Sequence, residues 1–429
     1  MADLFVDGGN PIEGTVFPSG NKNAVLPMLC ATLLTDEPVT LENVPDISDV
    51  TKILDYFERM GSTVSREDGG STLTIRHDFD AFADGKAELP LGIRSAVLLL
   101  APVVVRTGKL TFDTDAKGCA LGLREIDPHL EILQQFGCSF VSTQPYDIRR
   151  DGALTGQQIW ADYASVTATE TFAMIAATAN GTSVLMNAAS EPHVQALCEM
   201  LRSMGANIEG GGTSRLTISG VDRLGGARVR VPDDHHEVAT FLAIGGVTGG
   251  RVTVKTDITP HMTLILRQFS KLGLQFEVAD DAITVTGWTR EVARPFTREM
   301  LPKIEAAPWP YFPADLLPQA IGVAVGCNSE IMFWNKIYEG ALGWSSELAK
   351  FGARVNLSDP HRLIVFGGNS LRPAIVEAPY IIRVVLGLFL TAIQIKGQSI
   401  IRNADPIRRA HPHFVEKLTE LGATVRWSS

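Results

Sequence analysis

A short polar loop in the first third of the chain carries residue types that can do acid–base chemistry. Within residues 113–125, Cys119 lies between two glycines, and Lys117 and Arg124 lie close on either side. Cationic neighbours lower the pKa of a thiol, which then serves as an acid or a nucleophile. From this stretch alone, an ordinary surface loop with an incidental free cysteine is the favoured interpretation.

A second candidate is the polar turn that precedes the first apolar helix. Ser19, Gly20 and Asn21 form the turn, and Lys22 and Asn23 open the helix. Helix N-termini bind anions, and a lysine at that position adds a positive charge. The spacing is not the Gly-x-x-x-x-Gly-Lys pattern of an NTPase loop. A capped helix start without a ligand is an equal alternative at this point.

Six amphipathic segments, each ending in a glycine, divide the chain into units of about 70 residues. In the copies compared, apolar residues lie 11, 8, 7, 4 and 1 positions before the glycine, a spacing that traces one face of a helix. A glycine in the left-handed conformation then ends each helix, and a strand follows. The six glycines are Gly61, Gly137, Gly205, Gly273, Gly352 and Gly422.

Each unit also contains a more apolar helix that runs into a polar turn and a strand. A unit of this kind cannot bury both of its helices alone, so several units must pack around one another. We therefore expect three units per domain, with amphipathic helices at the rim, apolar helices in the core and a boundary near 228–234. The apolar run 96–105 indicates a strand or another core element. The predicted turn-and-strand segments are 35–41, 106–112, 180–186, 248–254, 326–332 and 396–402.

Composition limits the classes of partner. The chain has 429 residues and a net charge of -10, with no basic blocks, which argues against nucleic acid. A small anionic substrate is compatible, because a local basic pocket can lie inside an acidic protein. The N-terminus shows no signal segment, and the apolar runs are too short for a bilayer, so we expect a cytoplasmic protein without a membrane partner.

The cysteines indicate a reducing compartment, because they are few, odd in number and widely spaced. Neither a Cys-x-x-Cys pair nor a Cys/His cluster with zinc-site spacing occurs in the sequence. Apart from Cys119, the cysteines lie among apolar or small residues, and we expect them to be packing residues. They are Cys30, Cys138, Cys198 and Cys327.

Three segments, together with the glycine-capped repeats, carry a resemblance to a known family. They are Pro-Ser-Gly-Asn-Lys-Asn-Ala at 18–24, Gly-Cys-Ala-Leu-Gly-Leu-Arg at 118–124 and Pro-Trp-Pro-Tyr-Phe-Pro-Ala-Asp at 308–315. In this order they resemble the enolpyruvyl transferase family over nearly the whole chain. The resemblance implies an α/β fold of two inside-out α/β barrel (prism) domains, each of three βαβαββ-like repeats, joined by a double hinge.

The resemblance also implies domain limits and a reaction. Domain I would span 22–232 and carry the Cys119 loop, and domain II would span 1–21 and 233–429 and carry Asp315 and Arg409. The reaction is transfer of the enolpyruvyl group of phosphoenolpyruvate to the 3-hydroxyl of UDP-N-acetylglucosamine, with release of phosphate. It is the first committed step of peptidoglycan precursor synthesis. No metal or cofactor is implied, and fosfomycin labels the loop cysteine in family members.

Site roles follow from the matching motifs of the family. Lys22 would hold the phosphate of phosphoenolpyruvate, and Asn23 would touch both substrates. Cys119 would protonate the methylene carbon, Asp315 would take the proton of the sugar hydroxyl, and Arg409 would close on phosphoenolpyruvate. A compact dianion needs several converging cations, and the addition needs an acid and a base. The implied substrate-binding set also contains Arg94, Arg124, Glu125, Ile126, Asp127, Ser165, Val166, Ile337 and Arg383.

Several positions depart from the family pattern, mainly on the acceptor side. Tyr163 replaces a uridine-facing lysine, Ala341 an arginine, Ile381 an aspartate and His193 a glutamate, and the hinge segment 233–238 is altered. A divergent cell-wall enzyme is one explanation. A paralogue acting on another uridine nucleotide, such as UMP in a nucleoside-antibiotic pathway, is a second. A catalytically silent regulatory paralogue is the third, and retention of the catalytic residues speaks against it.

The hinge segment contains two adjacent histidines, His235 and His236. We place them on a strand, where neighbouring side chains point to opposite faces. Two histidines arranged in that way do not share a metal ion. A polar hinge is therefore preferred over a metal site, and no metal ligand is predicted.

Overall fold

The computed structural model describes residues 2–78, 89–90, 94–112, 126–143, 145–297 and 299–428. These residues form two compact units. Unit A contains the described residues of 20–112 and 126–232, and unit B contains 2–19 and those of 233–428. Within the described residues, the chain changes unit twice, after Ser19 and after Pro232. Each unit has a hydrophobic core of its own.

Helices make up the centre of each unit. None of the helices in the described part of the chain is long and apolar enough to cross a membrane. The α-helices are α1 Lys22–Ala31, α2 Ser48–Arg59, α3 Leu100–Thr107, α4 Asp127–Gln135, α5 Val166–Ala176, α6 Pro192–Ser203, α7 His235–Val247, α8 Thr259–Lys271, α9 Leu317–Ala324, α10 Ile382–Ile393 and α11 Phe414–Glu420. Short 3-10 helices span Thr32–Leu34, Asp68–Gly70, Arg94–Leu99, Ala314–Leu316, Gly343–Phe351 and Asp405–Arg409.

Six sheets surround these helices among the described residues, which matches the six predicted units. The strands of unit A are β3 Val39–Glu42, β4 Thr63–Glu67, β5 Thr72–Arg76, β6 Lys109–Phe112, β7 Cys138–Thr143, β8 Tyr146–Arg150, β9 Gln158–Trp160, β10 Thr182–Met186, β11 Asn207–Glu209, β12 Arg215–Ser219 and β13 Ala227–Arg230. The strands of unit B are β1 Leu4–Gly8, β2 Gly14–Val16, β14 Val252–Lys255, β15 Leu274–Ala279, β16 Ala282–Trp288, β17 Lys303–Ala306, β18 Ile331–Asn335, β19 Val355–Asp359, β20 Arg362–Val365, β21 Ile375–Glu377, β22 Gly397–Arg402 and β23 Thr424–Trp427.

Five of the six sheets have four strands, and the sheet of β6, β7 and β8 has three among the described residues. Strands distant in sequence complete several of the four-stranded sheets. In the third sheet, β10 pairs in parallel with β9 and antiparallel with β12. The first sheet is completed by β13, the last strand of unit A, which pairs in parallel with β3. In unit B, β2 pairs in parallel with β14, and β1 lies between β22 and β23. Both ends of each unit are therefore tied into its sheets.

One helix of each repeat is buried on nearly all sides. Every residue of α7 except His236 is buried, and so is every residue of α10 from Val384 onwards. Such helices are apolar all round because no face meets water. The apolar run at 96–105 is one of them, a 3-10 turn followed by α3. An apolar run alone does not distinguish a strand from a buried helix, so the strand alternative was wrong.

The other helix of each repeat is amphipathic, as its spacing predicts. In α2, the buried face includes Val50, Ile53, Leu54 and Phe57. All six cap glycines have positive φ angles, between 87° and 108°. The fifth segment differs, because Gly343–Phe351 is a 3-10 helix and not an α-helix. Glycine and serine residues in its first turn have low α-helical propensity, which fits this difference.

Two glycines let the core helices α9 and α10 pack closely. A Cβ on Gly322 would lie 2.5 Å from the carbonyl oxygen of Gly387. A Cβ on Gly387 would lie 2.6 Å from the carbonyl oxygen of Pro318. Real Cβ atoms do not approach backbone oxygens so closely, so any larger residue at either position would separate the helices.

Candidate active site

The starts of α9 and α10 meet in unit B and bring a carboxylate beside a guanidinium group. Asp315 lies in the 3-10 turn that leads into α9, and Arg383 is the second residue of α10. Their side chains form an ion pair between Asp315 Oδ1 and Arg383 Nη1. The side chain of Asp315 is 38% exposed and that of Arg383 is 15% exposed, although the two paired atoms themselves are buried. The structure thus brings together two residues that the sequence assigned to the site.

The ring of Tyr338 packs against the guanidinium group of Arg383. The guanidinium carbon of Arg383 lies 5.0 Å from the centre of the Tyr338 ring, a distance typical of cation–π contacts. The backbone amides of Ile337 and Tyr338 donate to Oδ1 of Asn335, at 3.0 and 3.1 Å. Ile337, predicted to bind substrate, therefore lies on the loop that supports Arg383. Sequence reasoning missed Tyr338, because no spacing pattern links it to an arginine 45 residues away.

Arg409 lies on an element that contacts the same core helix. It is the last residue of the 3-10 helix Asp405–Arg409, and this helix packs against α10. Arg409 is partly exposed. The neighbouring Arg408 takes a different position, with its guanidinium 4.2 Å from the centre of the Trp427 ring.

The two hinge histidines lie on a helix, so their placement on a strand was wrong. Asp234 caps α7, and its side chain accepts a hydrogen bond from the backbone N–H of His236 at 2.8 Å. An aspartate cap favours a helix start at this position. Consequently the His235 and His236 rings do not point to opposite faces, and their centres lie 4.0 Å apart.

The spacing of this cluster alone would admit a metal ion. One ligand atom from each of Asp234, His235 and His236 lies within 4.8 Å of the others. However, Oδ1 of Asp234 already accepts hydrogen bonds from the backbone N–H and the Nδ1 of His236. A helix N-terminus also carries partial positive charge, which disfavours a cation. The donor set therefore fits an internal ion pair better than a metal site.

In unit A, Lys22 is the first residue of a capped core helix. The side chain of Asn21 accepts a hydrogen bond from the backbone N–H of Ala24 at 3.0 Å and starts α1. The ammonium group of Lys22 forms an ion pair with Asp49 of α2. Asp49 is almost fully buried, and 15% of the Lys22 side chain is exposed. The lysine is thus fixed at the helix start, followed by Asn23, while still open to solvent.

Two further helix starts carry predicted binding residues. Ser165 caps α5, and its Oγ accepts from the backbone N–H of Ala168 at 3.4 Å. Val166 is then the first residue of α5. Ile126 and Asp127 open α4 as the N-cap and the first helical residue, without a capping hydrogen bond from the Ile126 side chain.

His129 holds these two helix starts together. Its Nδ1 lies 2.7 Å from Oγ1 of Thr171, and its Nε2 lies 3.0 Å from Oγ1 of Thr167. The side chain is buried, with 2% of the residue exposed. Because His129 lies on α4 and both threonines lie on α5, it ties the start of α4, which carries Asp127, to the helix that Ser165 caps. The sequence gives no signal for this role, since the contact joins two separate repeats.

The remaining predicted site residues divide into two groups. Arg94 opens the 3-10 helix Arg94–Leu99, and this helix packs against α1 and α5, which carry Lys22 and Ser165 at their starts. Cys119, Arg124 and Glu125 lie outside the described residues.

The other four cysteines are buried, which confirms their prediction as packing residues. Burial raises the pKa of Cys138 to about 11 and the pKa values of Cys198 and Cys327 to about 12. Burial raises the pKa of Cys30 further still. These thiols remain protonated at neutral pH and are chemically inert.

Comparison with known proteins gives the family. Residues 6–418 match the family described as EPSP synthase (3-phosphoshikimate 1-carboxyvinyltransferase). The chain belongs to this carboxyvinyltransferase family. The UDP-N-acetylglucosamine 1-carboxyvinyltransferase of Borreliella burgdorferi is 36% identical, with 99% of each chain covered. The corresponding protein of Bradyrhizobium diazoefficiens is 37% identical, over 98% of this chain and 97% of the relative.

Solved carboxyvinyltransferase structures share the fold. The enolpyruvyl transferase NikO from Streptomyces tendae superposes with a TM-score of 0.84 at 24% identity, covering 100% of this chain and 99% of NikO. The EPSP synthase of Acinetobacter baumannii gives a TM-score of 0.76 at 16% identity, with 100% of both chains covered. The family resemblance and the two-domain inside-out fold predicted from the sequence are therefore confirmed.

Proposed function

We propose that this carboxyvinyltransferase transfers the enolpyruvyl group of phosphoenolpyruvate to the 3-hydroxyl of UDP-N-acetylglucosamine and releases phosphate. The observation that carries the proposal is the full-length similarity to relatives that bear this activity in their names. The charged residues of each unit support it, because unit A supplies Lys22 and unit B supplies Asp315, Arg383 and Arg409, the charges that such a reaction requires.

The addition step uses the cations and one acid–base pair. Lys22, Arg383 and Arg409 would hold the phosphate and carboxylate of phosphoenolpyruvate, because cations with hydrogen-bond donors bind such groups strongly. Asp315 would accept the proton of the acceptor hydroxyl while the new C–O bond forms at the enol carbon. Cys119 would donate a proton to the methylene carbon, which becomes a methyl group.

The elimination step restores the double bond. The Cys119 thiolate would take a proton from the new methyl group, and the electron pair of that C–H bond would form the double bond while the bond between carbon and the phosphate oxygen breaks. Phosphate would depart with the electron pair of the broken bond and would take up the proton held by Asp315. The product is a carboxyvinyl ether on the acceptor, and both the acid and the base return to their starting states. The two steps are acid–base chemistry throughout and need no oxidant or reductant.

The departures from the family pattern bear on one part of the proposal, the identity of the acceptor. Tyr163 lies two residues before the Ser165 cap and is 51% exposed, so an aromatic side chain stands where the family has a uridine-facing lysine. UMP, or another uridine nucleotide, is therefore the second candidate acceptor. The third candidate concerns the function and not the acceptor: a catalytically silent protein that binds a nucleotide.

The test is phosphate release from phosphoenolpyruvate in the presence of each acceptor separately. We expect release with UDP-N-acetylglucosamine, and a loss of at least 100-fold in the Lys22→Met and Asp315→Asn variants, in line with removal of a general base or a charge clamp. Lys52→Met is the matched control, because Lys52 is an exposed lysine on α2 of the same unit. Its activity should equal that of the wild type.

Other outcomes assign the alternatives. Phosphate release with UMP and not with UDP-N-acetylglucosamine would replace the proposed acceptor. Tight binding of a uridine nucleotide without phosphate release from any acceptor would refute the enzyme assignment and leave the silent paralogue.

A further inference from the structure

Ser19 is the last residue of unit B before the chain crosses into unit A, and hydrogen bonds fix it within unit B. Its backbone N–H donates to Oε2 of Glu237 at 2.8 Å. Its Oγ accepts from the ammonium group of Lys417 at 2.8 Å, and its carbonyl oxygen accepts from the backbone N–H of Asp234 at 2.9 Å. Each polar atom of Ser19 therefore has a partner in its own unit.

Two of these partners form an ion pair inside unit B. Nζ of Lys417 lies 2.7 Å from Oε1 of Glu237. The side chain of Glu237 is fully buried, and that of Lys417 is 17% exposed. Both carboxylate oxygens of Glu237 are used, one by the lysine and one by the backbone of Ser19. Because desolvation of two charges offsets much of their attraction, such a pair contributes a defined geometry more than net stability.

Aromatic packing holds the two helices that carry the ion pair. Phe241 lies one turn after Glu237 on α7, and the centre of its ring is 5.9 Å from that of Phe414. Phe414 lies one turn before Lys417 on α11, and its ring centre is 5.1 Å from that of Phe389 on α10. Residues three or four apart share one face of a helix, so the same two faces make the aromatic contact and the ion pair. The pair therefore belongs to the packed core of the unit.

Unit A holds the next residues of the chain just as closely. A Cβ on Gly20 would lie 1.9 Å from the carbonyl oxygen of Asn43, so the backbone packs directly against that residue. The backbone N–H of Asn21 donates to the carbonyl oxygen of Pro232 at 2.8 Å. Ser19 and Gly20 are each fixed in their own unit, and the two attachments are one peptide bond apart.

The proposed reaction makes a demand on this crossing. Phosphoenolpyruvate would be held by Lys22 of unit A and by Arg383 and Arg409 of unit B. The residues implied for the uridine nucleotide, such as Ser165, belong to unit A. Loss of the attachment at Ser19 would lengthen the free part of the crossing, and small displacements of groups that bind a reactant reduce the rate by large factors. The donor should therefore be affected more than the nucleotide.

We propose that Lys417 and Glu237 are positioning residues, which fix Ser19 and so keep this crossing between the units short and stiff. The inference rests on the proposed function, in which one donor molecule needs cations from both units. Neither residue is assigned a contact with substrate, and both act through the backbone of Ser19.

Hydrogen exchange tests the anchor without turnover. In Lys417→Met, the buried carboxyl group of Glu237 lacks its counter-charge and takes up a proton, and a neutral carboxyl group is a weaker acceptor. We therefore expect the amide of Ser19 to exchange about tenfold faster, while the amides of β16, which lies inside its sheet, keep their rates. Equal acceleration of both would show a loss of global stability, and an unchanged Ser19 amide would show that the pair does not hold the crossing. Either result would overturn the proposal.

Steady-state kinetics tests the consequence for the reaction. In Lys417→Met, we expect kcat/KM for phosphoenolpyruvate to fall about tenfold and the KM for UDP-N-acetylglucosamine to change by less than about twofold. A loss of equal size for both substrates, or no loss, would show that the pair has no positioning role.

Lys350→Met is the matched control for both measurements. Lys350 also forms a 2.7 Å ion pair in unit B, with Glu347, whose carboxylate likewise accepts a backbone N–H, from Glu377 at 2.8 Å. This lysine is exposed, however, and none of the three residues belongs to the crossing. The variant should match wild type in Ser19 exchange and in both kinetic constants.

Ser19→Ala gives a second kinetic test that leaves no buried charge unpaired. It removes the oxygen that Lys417 binds and keeps the pair between Lys417 and Glu237, so the protein should fold even if Lys417→Met does not. We expect a selective loss of about threefold in kcat/KM for phosphoenolpyruvate, and an unchanged value would overturn the proposal. If wild type releases no phosphate with any acceptor, the proposed function fails, while faster Ser19 exchange in Lys417→Met still supports the anchor.

Discussion

Substitution of Glu170 by glutamine should stabilise the protein at neutral pH but much less in acid. Glu170 lies in the middle of core helix α5, and only 1% of the residue is exposed. Its Oε1 is buried and has no hydrogen-bond partner among the described residues. Burial, and secondly the charge of Glu191, raise the pKa of Glu170 well above its ordinary value. The buried carboxyl group is therefore favoured in its protonated form.

The sign of the pH dependence follows from proton binding. At pH values above the pKa that Glu170 has in the unfolded chain, the folded protein holds a proton on Glu170 that the unfolded chain has lost. Stability therefore falls as the pH rises, by up to about 1.4 kcal/mol per pH unit until the pKa of the folded state is reached. Between about pH 5.5 and about pH 7.5 the wild type should lose up to about 2.7 kcal/mol relative to Glu170→Gln.

Urea unfolding at the two pH values, followed by circular dichroism, measures this difference. The pH-independent cost of burying an amide cancels when the two differences are subtracted, and equal m-values in both proteins validate the subtraction. Glu199→Gln is the matched control, because Glu199 is exposed on α6 of the same unit, and its effect should not change with pH. A Glu170→Gln effect that is equal at both pH values would refute the reasoning.

Two further predictions concern the elements that hold the site. Gly20→Ala should lower the free energy of unfolding by about 1–3 kcal/mol, because the new Cβ would lie 1.9 Å from a backbone carbonyl oxygen. The resulting shift should also weaken binding of phosphoenolpyruvate through the neighbouring Lys22. Urea unfolding and the KM for phosphoenolpyruvate measure both effects, and Gly343→Ala, which meets nothing within 4 Å, should stay within about 0.5 kcal/mol of wild type. His129→Ala should lower the free energy of unfolding by about 1–3 kcal/mol, since it leaves the buried hydroxyl of Thr171 and the half-buried hydroxyl of Thr167 without their partner. It should also raise the KM for the nucleotide more than it lowers kcat. An unchanged KM in a folded His129→Ala protein would contradict the role of this residue in fixing Asp127.

Much of the fold could be predicted because its signals are local. Each cap glycine, from Gly61 to Gly422, marks the left-handed residue that ends one helix. The spacing of apolar residues before it indicates which face of that helix is buried. These signals repeat six times and give the repeat count without any knowledge of tertiary contacts. The strand pairing that ties β1 and β13 into distant sheets leaves no such local pattern, and it emerged only from the structure.

The site was predicted less completely, for physical reasons. Lys22, Asp315 and Arg383 lie at helix starts, and short motifs mark those positions in the sequence. Contacts between separate repeats have no sequence signature, so the roles of Tyr338 and His129 were missed. The strand assignment of the two hinge histidines failed because it did not count the preceding aspartate as a helix cap.

The most direct test of the proposed reaction is the identity of the product. The purified protein would be incubated with 13C-labelled phosphoenolpyruvate and UDP-N-acetylglucosamine, and the mixture would be followed by 1H, 13C and 31P NMR. The proposal predicts a carboxyvinyl ether at the 3-position of the sugar, formed in equal amount with inorganic phosphate, and at least 100-fold slower formation of both with Asp315→Asn. Phosphoenolpyruvate that stays unchanged when the wild-type protein and this acceptor are both present would contradict the proposed reaction.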